Sequence, residues 1–94
     1  MSVTRNDDAR QFELRTEGGL ALLAFYRKAN KIAYVHTEVP ESMEGQGIGG
    51  QLAKAALEYA KENGLRVYPF CPFVRSYIKR HPEYEALTEA LDEW

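Results

Sequence analysis

The sequence predicts a mixed α/β fold of the α+β kind. It reads as an antiparallel three-strand meander, a central helix, a parallel fourth strand and C-terminal helices. Three observations predict it. Short alternating apolar runs fill the first forty residues and are broken by two tight turns. A helical apolar stripe follows a glycine-rich loop. A short apolar run comes directly after that helix, so the chain crosses the sheet and returns parallel.

Residues 1–10 are polar, carry both charge signs, and are expected to form a flexible tail; 11–94 are expected to form one domain. Phe12, Leu14 and Thr16 alternate with Glu13 and Arg15, which reads as a first strand. Glu17-Gly18-Gly19 is its turn. Residues 20–28 form the second strand. Leu20, Leu22, Ala24 and Tyr26 lie on one face and Ala21, Leu23 and Phe25 on the other, so both faces are expected to be covered. After Ala29-Asn30 the third strand spans 31–39. Strict alternation puts Ala33, Val35, Thr37 and Val39 opposite Ile32, Tyr34 and His36. Pro40, which has no N–H for the ladder, ends it.

The helix is expected over about 46–62, with Ile48, Leu52, Ala55, Ala56 and Tyr59 as its apolar stripe. Asn63-Gly64 stops it. Residues 65–70 read as the fourth strand and 73–80 as a short helix behind Pro72. His81-Pro82 breaks that helix. Tyr84, Leu87, Leu91 and Trp94 then form a last helical stripe, expected to cover the sheet.

The bulk numbers narrow the function. A net charge of −2 is no polycation, so nucleic acid is not an expected partner. The apolar runs are far too short for a membrane span, and the first residues do not resemble a signal peptide, so a cytoplasmic protein is expected. A single cysteine excludes an internal disulfide and a multi-cysteine metal site.

The chemistry concentrates in the segment from Val39 to Leu52. It carries Gly45, Gly47, Gly49 and Gly50 between a strand and a helix N-terminus. Such a loop lets backbone N–H groups and the helix dipole approach a phosphate. The run formally matches the dinucleotide fingerprint G-x-G-x-x-G. The next strand, however, ends Val67-Tyr68-Pro69-Phe70-Cys71 with no acid for a ribose. A P-loop is excluded because no Gly-Lys-Ser/Thr follows.

With Val39-Pro40 before it and Leu52 after it, Gly45-Gln46-Gly47-Ile48-Gly49 resembles the pyrophosphate-binding motif of the GNAT acetyltransferase superfamily. The meander, the shortness, and the segments His36-Thr37-Glu38-Val39-Pro40, Pro69-Phe70-Cys71-Pro72-Phe73-Val74 and 77–84 are similar to its compact Yjdj-type branch. The resemblance covers about 12–84. It implies a minimal GNAT-like fold that binds acetyl-CoA and acetylates an amine, of a small molecule or a protein. It also implies that coenzyme A meets Thr37, Glu38 and Val39 on the strand and Glu44, Gly45, Gln46, Gly47, Ile48, Gly49 and Gly50 in the loop. Arg75, Lys79 and Arg80 make a basic cluster that is a candidate contact of the nucleotide phosphate, Arg75 and Lys79 foremost; a solvated helix face is the alternative.

The motif is broken at Glu44, where the superfamily has Arg or Gln. A carboxylate there repels pyrophosphate. At an exposed helix start, charge effects are worth about 0.3–1 kcal/mol, against roughly 8 kcal/mol for micromolar binding, so Glu44 is expected to loosen binding several-fold at most; the alternative is a solvated helix-start acid turned away from the anion.

Cys71 falls after the second of the two parallel strands, where the resemblance places the acetyl group. It reads as a nucleophile, as a site-lining residue, or as a buried small side chain. A thiol there needs activation, which a helix N-terminus supplies. His36 is the candidate base and Tyr77 the candidate acid for direct transfer. His81 reads as structural. The alternative function is a non-catalytic acyl-CoA-binding or regulatory module, suggested by Glu44 and the small size.

Overall fold

The computed structural model describes residues 2–94. Five strands form one sheet in chain order: β1 (Thr4–Asn6), β2 (Gln11–Thr16), β3 (Gly19–Lys28), β4 (Lys31–Glu38) and β5 (Arg66–Pro69). The first four are antiparallel to their neighbours, and β5 runs parallel to β4. Helix α1 (Ile48–Glu62) connects β4 to β5, and α2 (Pro72–Arg80) follows β5. The meander, the crossover helix and the parallel strand are as the sequence predicts.

Strand β1 replaces part of the expected loose tail; Met1 lies outside the described residues. The chain turns back at Asp7–Arg10 because Arg10 N–H donates to the Asp7 carbonyl (3.2 Å) and Ala9 N–H to Asn6 Oδ1 (3.0 Å). Arg10 takes a positive φ of 56° to close that turn. Asn6 Nδ2 then reaches Glu13 Oε2 across the two strands at 3.0 Å. The polar composition that suggested a tail is that of a solvent-facing edge strand.

The core lies on one face of the sheet, against α1. Phe12 and Leu14 of β2, Ala21, Leu23 and Phe25 of β3, and Ile32 and Tyr34 of β4 are buried there. From α1 they meet Ile48, Leu52, Ala53, Ala56, Leu57 and Ala60. The buried stripe is therefore rotated from the expected one: Ala53, Leu57 and Ala60 are inside, while Ala55 and Tyr59 are half-buried. Burying a leucine such as Leu52 or Leu57 contributes about 1.5–3 kcal/mol. The Tyr34 hydroxyl crosses this core and donates to the Ala56 carbonyl.

One irregularity in β4 decides where side chains point. Ala24 pairs with His36 but Phe25 pairs with Tyr34, so Val35 is an extra residue, a β-bulge. Strict alternation would put Tyr34 and His36 on one face. The bulge switches the faces beyond Val35. Thr37, opposite buried Leu23, joins the core side, while His36 and Glu38, opposite Ala24 and Leu22, stand on the other side.

That other face is only partly covered, which corrects the expectation for the second strand. Leu20, Leu22 and Ala24 are half-buried and Tyr26 is 52% exposed. Cover exists only over β4–β5, where the Trp94 ring meets Tyr68 at 5.3 Å and Phe70 at 6.5 Å, both edge-on. Lys28 and Lys31 tie this segment down by donating to the carbonyls of Trp94 (2.7 Å) and Glu93 (2.9 Å).

The last helix expected from the sequence is instead two 3-10 turns, Pro82–Leu87 and Leu91–Glu93. Between them Thr88 forms a parallel bridge with Val67, and Glu89 N–H donates to the Val67 carbonyl at 3.0 Å. The segment covers the free edge of β5, so its backbone is spent on the strand rather than on a helix.

Candidate functional site

The glycine loop is held at both ends. Behind Pro40 the chain makes a 3-10 turn, Glu41–Met43, with Met43 N–H donating to the Pro40 carbonyl at 2.8 Å. Met43 is buried, and Ser42 Oγ donates to the Gly18 carbonyl of the β2–β3 turn at 2.8 Å. Gly45 and Gly47 then adopt φ of 82° and 72°, a region that side-chain-bearing residues avoid. Gly47 caps α1 without any side-chain hydrogen bond, and its carbonyl accepts the first helical bond, from Gln51 N–H at 3.1 Å. Among the described residues, none of the N–H groups of 45–50 donates to a protein acceptor. These donors, with the positive end of α1, form a cradle for an anion.

The cradle opens on a groove of about 460 Å³. Val39, Met43 and Glu44 form one side, and Phe73, Tyr77 and Arg80 of α2 the other. Gly49 and Gly50 form its floor; a Cβ at Gly50 would lie 3.7 Å from the Tyr77 ring. Burial, followed by the nearby Glu83 carboxylate, pushes the Tyr77 phenol above its ordinary pKa, so it stays protonated at neutral pH. Its ring stacks on His81 at 4.0 Å.

The groove runs toward a fork in the sheet. The β4–β5 ladder ends at the Tyr34–Pro69 pair. Phe70 N–H then folds back on the Tyr68 carbonyl (3.0 Å), and Cys71 N–H returns to the Tyr34 carbonyl (2.8 Å). Cys71 sits at the N-cap of α2, buried, with Pro72 starting the helix. Its Sγ lies 3.3 Å from Thr37 Oγ1, the residue that the Val35 bulge turns inward.

Several sequence candidates are thus brought together: Val39, Glu44, Gly45, Gly47, Ile48, Gly49, Gly50 and Tyr77 share the groove, and Thr37 meets Cys71. Others are not. His36 and Glu38 bond each other on the exposed face (Nε2 to Oε2, 3.3 Å), away from the face where Thr37 meets Cys71. Gln46 is exposed and outside the groove lining. Arg75 and Lys79 lie on the far side of α2, at a second groove lined also by Ile78 and Glu89. Of the basic cluster it is Arg80 that reaches the loop groove. Phe73 and Met43 line the groove and were not among the sequence candidates. The spacing 73, 77, 80 marks one helix face and was the available signal.

A sheet that forks between β4 and β5, with a glycine loop at the start of the crossover helix, is the fold of a GCN5-related N-acetyltransferase. The chain matches the family described as GCN5-related N-acetyl-transferase over residues 11–87, and it belongs to that family. It is similar to the protein NATD1 of Xenopus tropicalis, 36% identical over 83 residues that cover 85% of this chain and 76% of that one. NATD1 of Danio rerio is 33% identical over 94 residues, covering 97% and 86%. The solution structure of a GCN5-like protein from Staphylococcus aureus superposes with a TM-score of 0.71 at 27% identity, covering 96% of this chain and 89% of that one. The family carries acetyl transfer as its general activity. No helix among the described residues is long and apolar enough to cross a membrane.

Proposed function

We propose that the chain uses acetyl-CoA to acetylate a primary amine, of a small molecule or a protein, by way of Cys71. The observation that carries this reading is the Thr37 Oγ1–Cys71 Sγ contact at the fork, next to a cradle of unpaired N–H groups. The residues fit coenzyme A. The N–H groups of 45–50 are free to hold its pyrophosphate, and Arg80 adds a cation to the same groove. Beyond Tyr34, β4 has no β5 partner, so the backbone at 37–39 is available to the amide-bearing arm of the ligand.

Acetyl-CoA supplies a thioester, an activated acyl group. Cys71 Sγ attacks its carbonyl carbon, forming an S–C bond as the bond to the coenzyme A sulfur breaks. The thiol proton passes to the Thr37 hydroxyl, which gives its own proton on toward the departing sulfur. Tyr77, kept protonated, is a second donor for that sulfur. The amine then attacks the acetyl group on Cys71, the S–C bond breaks, and the amine's proton returns to Cys71. His36 has no part in this, because the bulge turns it away.

The reading is tested by thermal midpoints with coenzyme A and acetyl-CoA against NAD and ATP, and by intact mass after exposure to acetyl-CoA. Saturation at 100 times the dissociation constant stabilises by about 2.7 kcal/mol. No shift at millimolar coenzyme A sinks the cofactor assignment. An acetyl adduct that persists in Cys71→Ser sinks the covalent route. Tight acetyl-CoA binding with no acetylation of a broad amine panel would identify a non-catalytic module instead, the reading that Glu44 in the groove favours.

A further inference from the structure

We propose that Arg75 is a positioning residue that fixes the Cys71 peptide at the fork, not a ligand of the nucleotide phosphate. The inference rests on the reading of Cys71 above. Arg75 Nη1 donates to the carbonyls of Pro69 (3.0 Å) and Phe70 (2.9 Å), and Arg75 N–H donates to the Cys71 carbonyl (3.1 Å). The guanidinium therefore holds two successive carbonyls, at the last ladder position of β5 and the residue after it, while the N–H bond to Cys71 is the first backbone bond of α2 and does not depend on the side chain.

That clamp acts where the sheet does not. Phe70 lies beyond the last β4–β5 pair, and its N–H is turned back on Tyr68. Cys71 keeps a single backbone bond to β4, through its N–H to Tyr34. Cys71 itself is held by its burial and by the first bond of α2, but the Phe70 peptide before it has no ladder partner, and its rotation would shift Sγ relative to Thr37. Arg75 restrains that peptide from outside the sheet, with charge-assisted hydrogen bonds in the fixed geometry of a guanidinium. Its side chain is committed to backbone oxygens on the far side of α2 from the glycine groove. The Phe73, Tyr77 and Arg80 face of the same helix is the one that meets the groove.

The test compares the wild-type chain with Arg75→Ala, Arg75→Lys and, as control, Lys79→Ala. Three quantities are read: amide exchange at Cys71, coenzyme A affinity, and the rate of acetyl transfer from acetyl-CoA to Cys71 by intact mass. Arg75→Ala is expected to speed Cys71 amide exchange and to slow acetylation, each by about tenfold or more, the scale of one lost charge-assisted hydrogen bond. Coenzyme A affinity is expected to change less than about twofold, as is everything in Lys79→Ala. Arg75→Lys, which keeps the charge but not the fork of donors, is expected to fall between, and it serves if the alanine variant does not fold. Weakened coenzyme A binding with unchanged Cys71 exchange overturns the proposal in favour of a phosphate contact. Unchanged exchange and rate in Arg75→Ala overturn it outright. If wild-type Cys71 takes up no acetyl group although coenzyme A binds, the nucleophile reading fails, and Cys71 exchange alone still decides whether Arg75 is the clamp.

Discussion

Gly49 lies so close beneath Phe73 that a Cβ on it would fall 2.8 Å from two ring atoms. The contact joins the first turn of α1 to α2 and sets the width of the groove between them. Alanine at this helical position would gain up to about 1 kcal/mol of propensity. Overpacking against the ring costs about 1–3 kcal/mol. Gly49→Ala is therefore expected to lower stability by about 1 kcal/mol and to displace Phe73 into the groove, weakening coenzyme A binding. Phe73→Leu in the same chain should relieve the clash. Urea midpoints and binding isotherms of the two single variants and the double variant check this; additive losses would show that the residues do not couple.

Glu44 stands beside the unpaired N–H groups of the loop. Replacing a carboxylate by a cation at a helix start is worth about 0.3–1 kcal/mol per charge contact. Glu44→Arg is expected to tighten coenzyme A binding by about two- to tenfold, with the gain shrinking as salt rises. Unchanged affinity would mean that the carboxylate does not face the bound anion.

Burial pushes the Tyr34 hydroxyl far above its ordinary pKa. In the folded chain it keeps its proton where the unfolded chain loses it, above about pH 10. The stability this gives is complete below that pH and is lost as pH rises further, at up to about 1.4 kcal/mol per pH unit. Tyr34→Phe gives up the bond to Ala56, costing about 1 kcal/mol at pH 8. Its deficit relative to wild type should shrink from pH 10 to pH 11, measured by urea unfolding. A constant deficit would place the tyrosine outside the titration.

Trp94, the single tryptophan, covers the β4–β5 part of the sheet face opposite the groove. Trp94→Ala would uncover Tyr68 and Phe70 and is expected to cost about 1–2 kcal/mol for partial loss of apolar cover. Coenzyme A affinity should stay within about twofold, since the two sites lie on opposite faces. Circular dichroism follows the unfolding, because the variant has no tryptophan fluorescence.

The layout of the site was legible in the sequence because its parts are local. Strand, glycine loop and helix follow one another between Lys31 and Glu62, and Cys71 follows the next strand directly. What escaped depends on phase. The bulge at Val35 leaves no mark in composition, since both faces of β4 carry apolar residues, yet it exchanges Thr37 for His36 at the thiol. On α2, charge alone picks out Arg75, Lys79 and Arg80 without separating them, whereas helical phase puts Arg80 at the loop groove and Arg75 and Lys79 at the other. Near the C-terminus the spacing of Tyr84, Leu87 and Leu91 suits an α-helix, but Thr88 and Glu89 are drawn onto the edge of β5.

The fork between β4 and α2 has a consequence for how the protein keeps company with other chains. Backbone groups of β4 beyond Tyr34 are left without a neighbour, as they would be on an edge strand. Unlike an edge, this gap is internal, walled by the Cys71 turn on one side and by β3 on the other. A strand from another chain could pair along it only by displacing the Cys71 turn. The unpaired stretch of β4 is thus confined between fixed backbone on both sides, which sets it apart from the aggregation-prone edge of an open sheet.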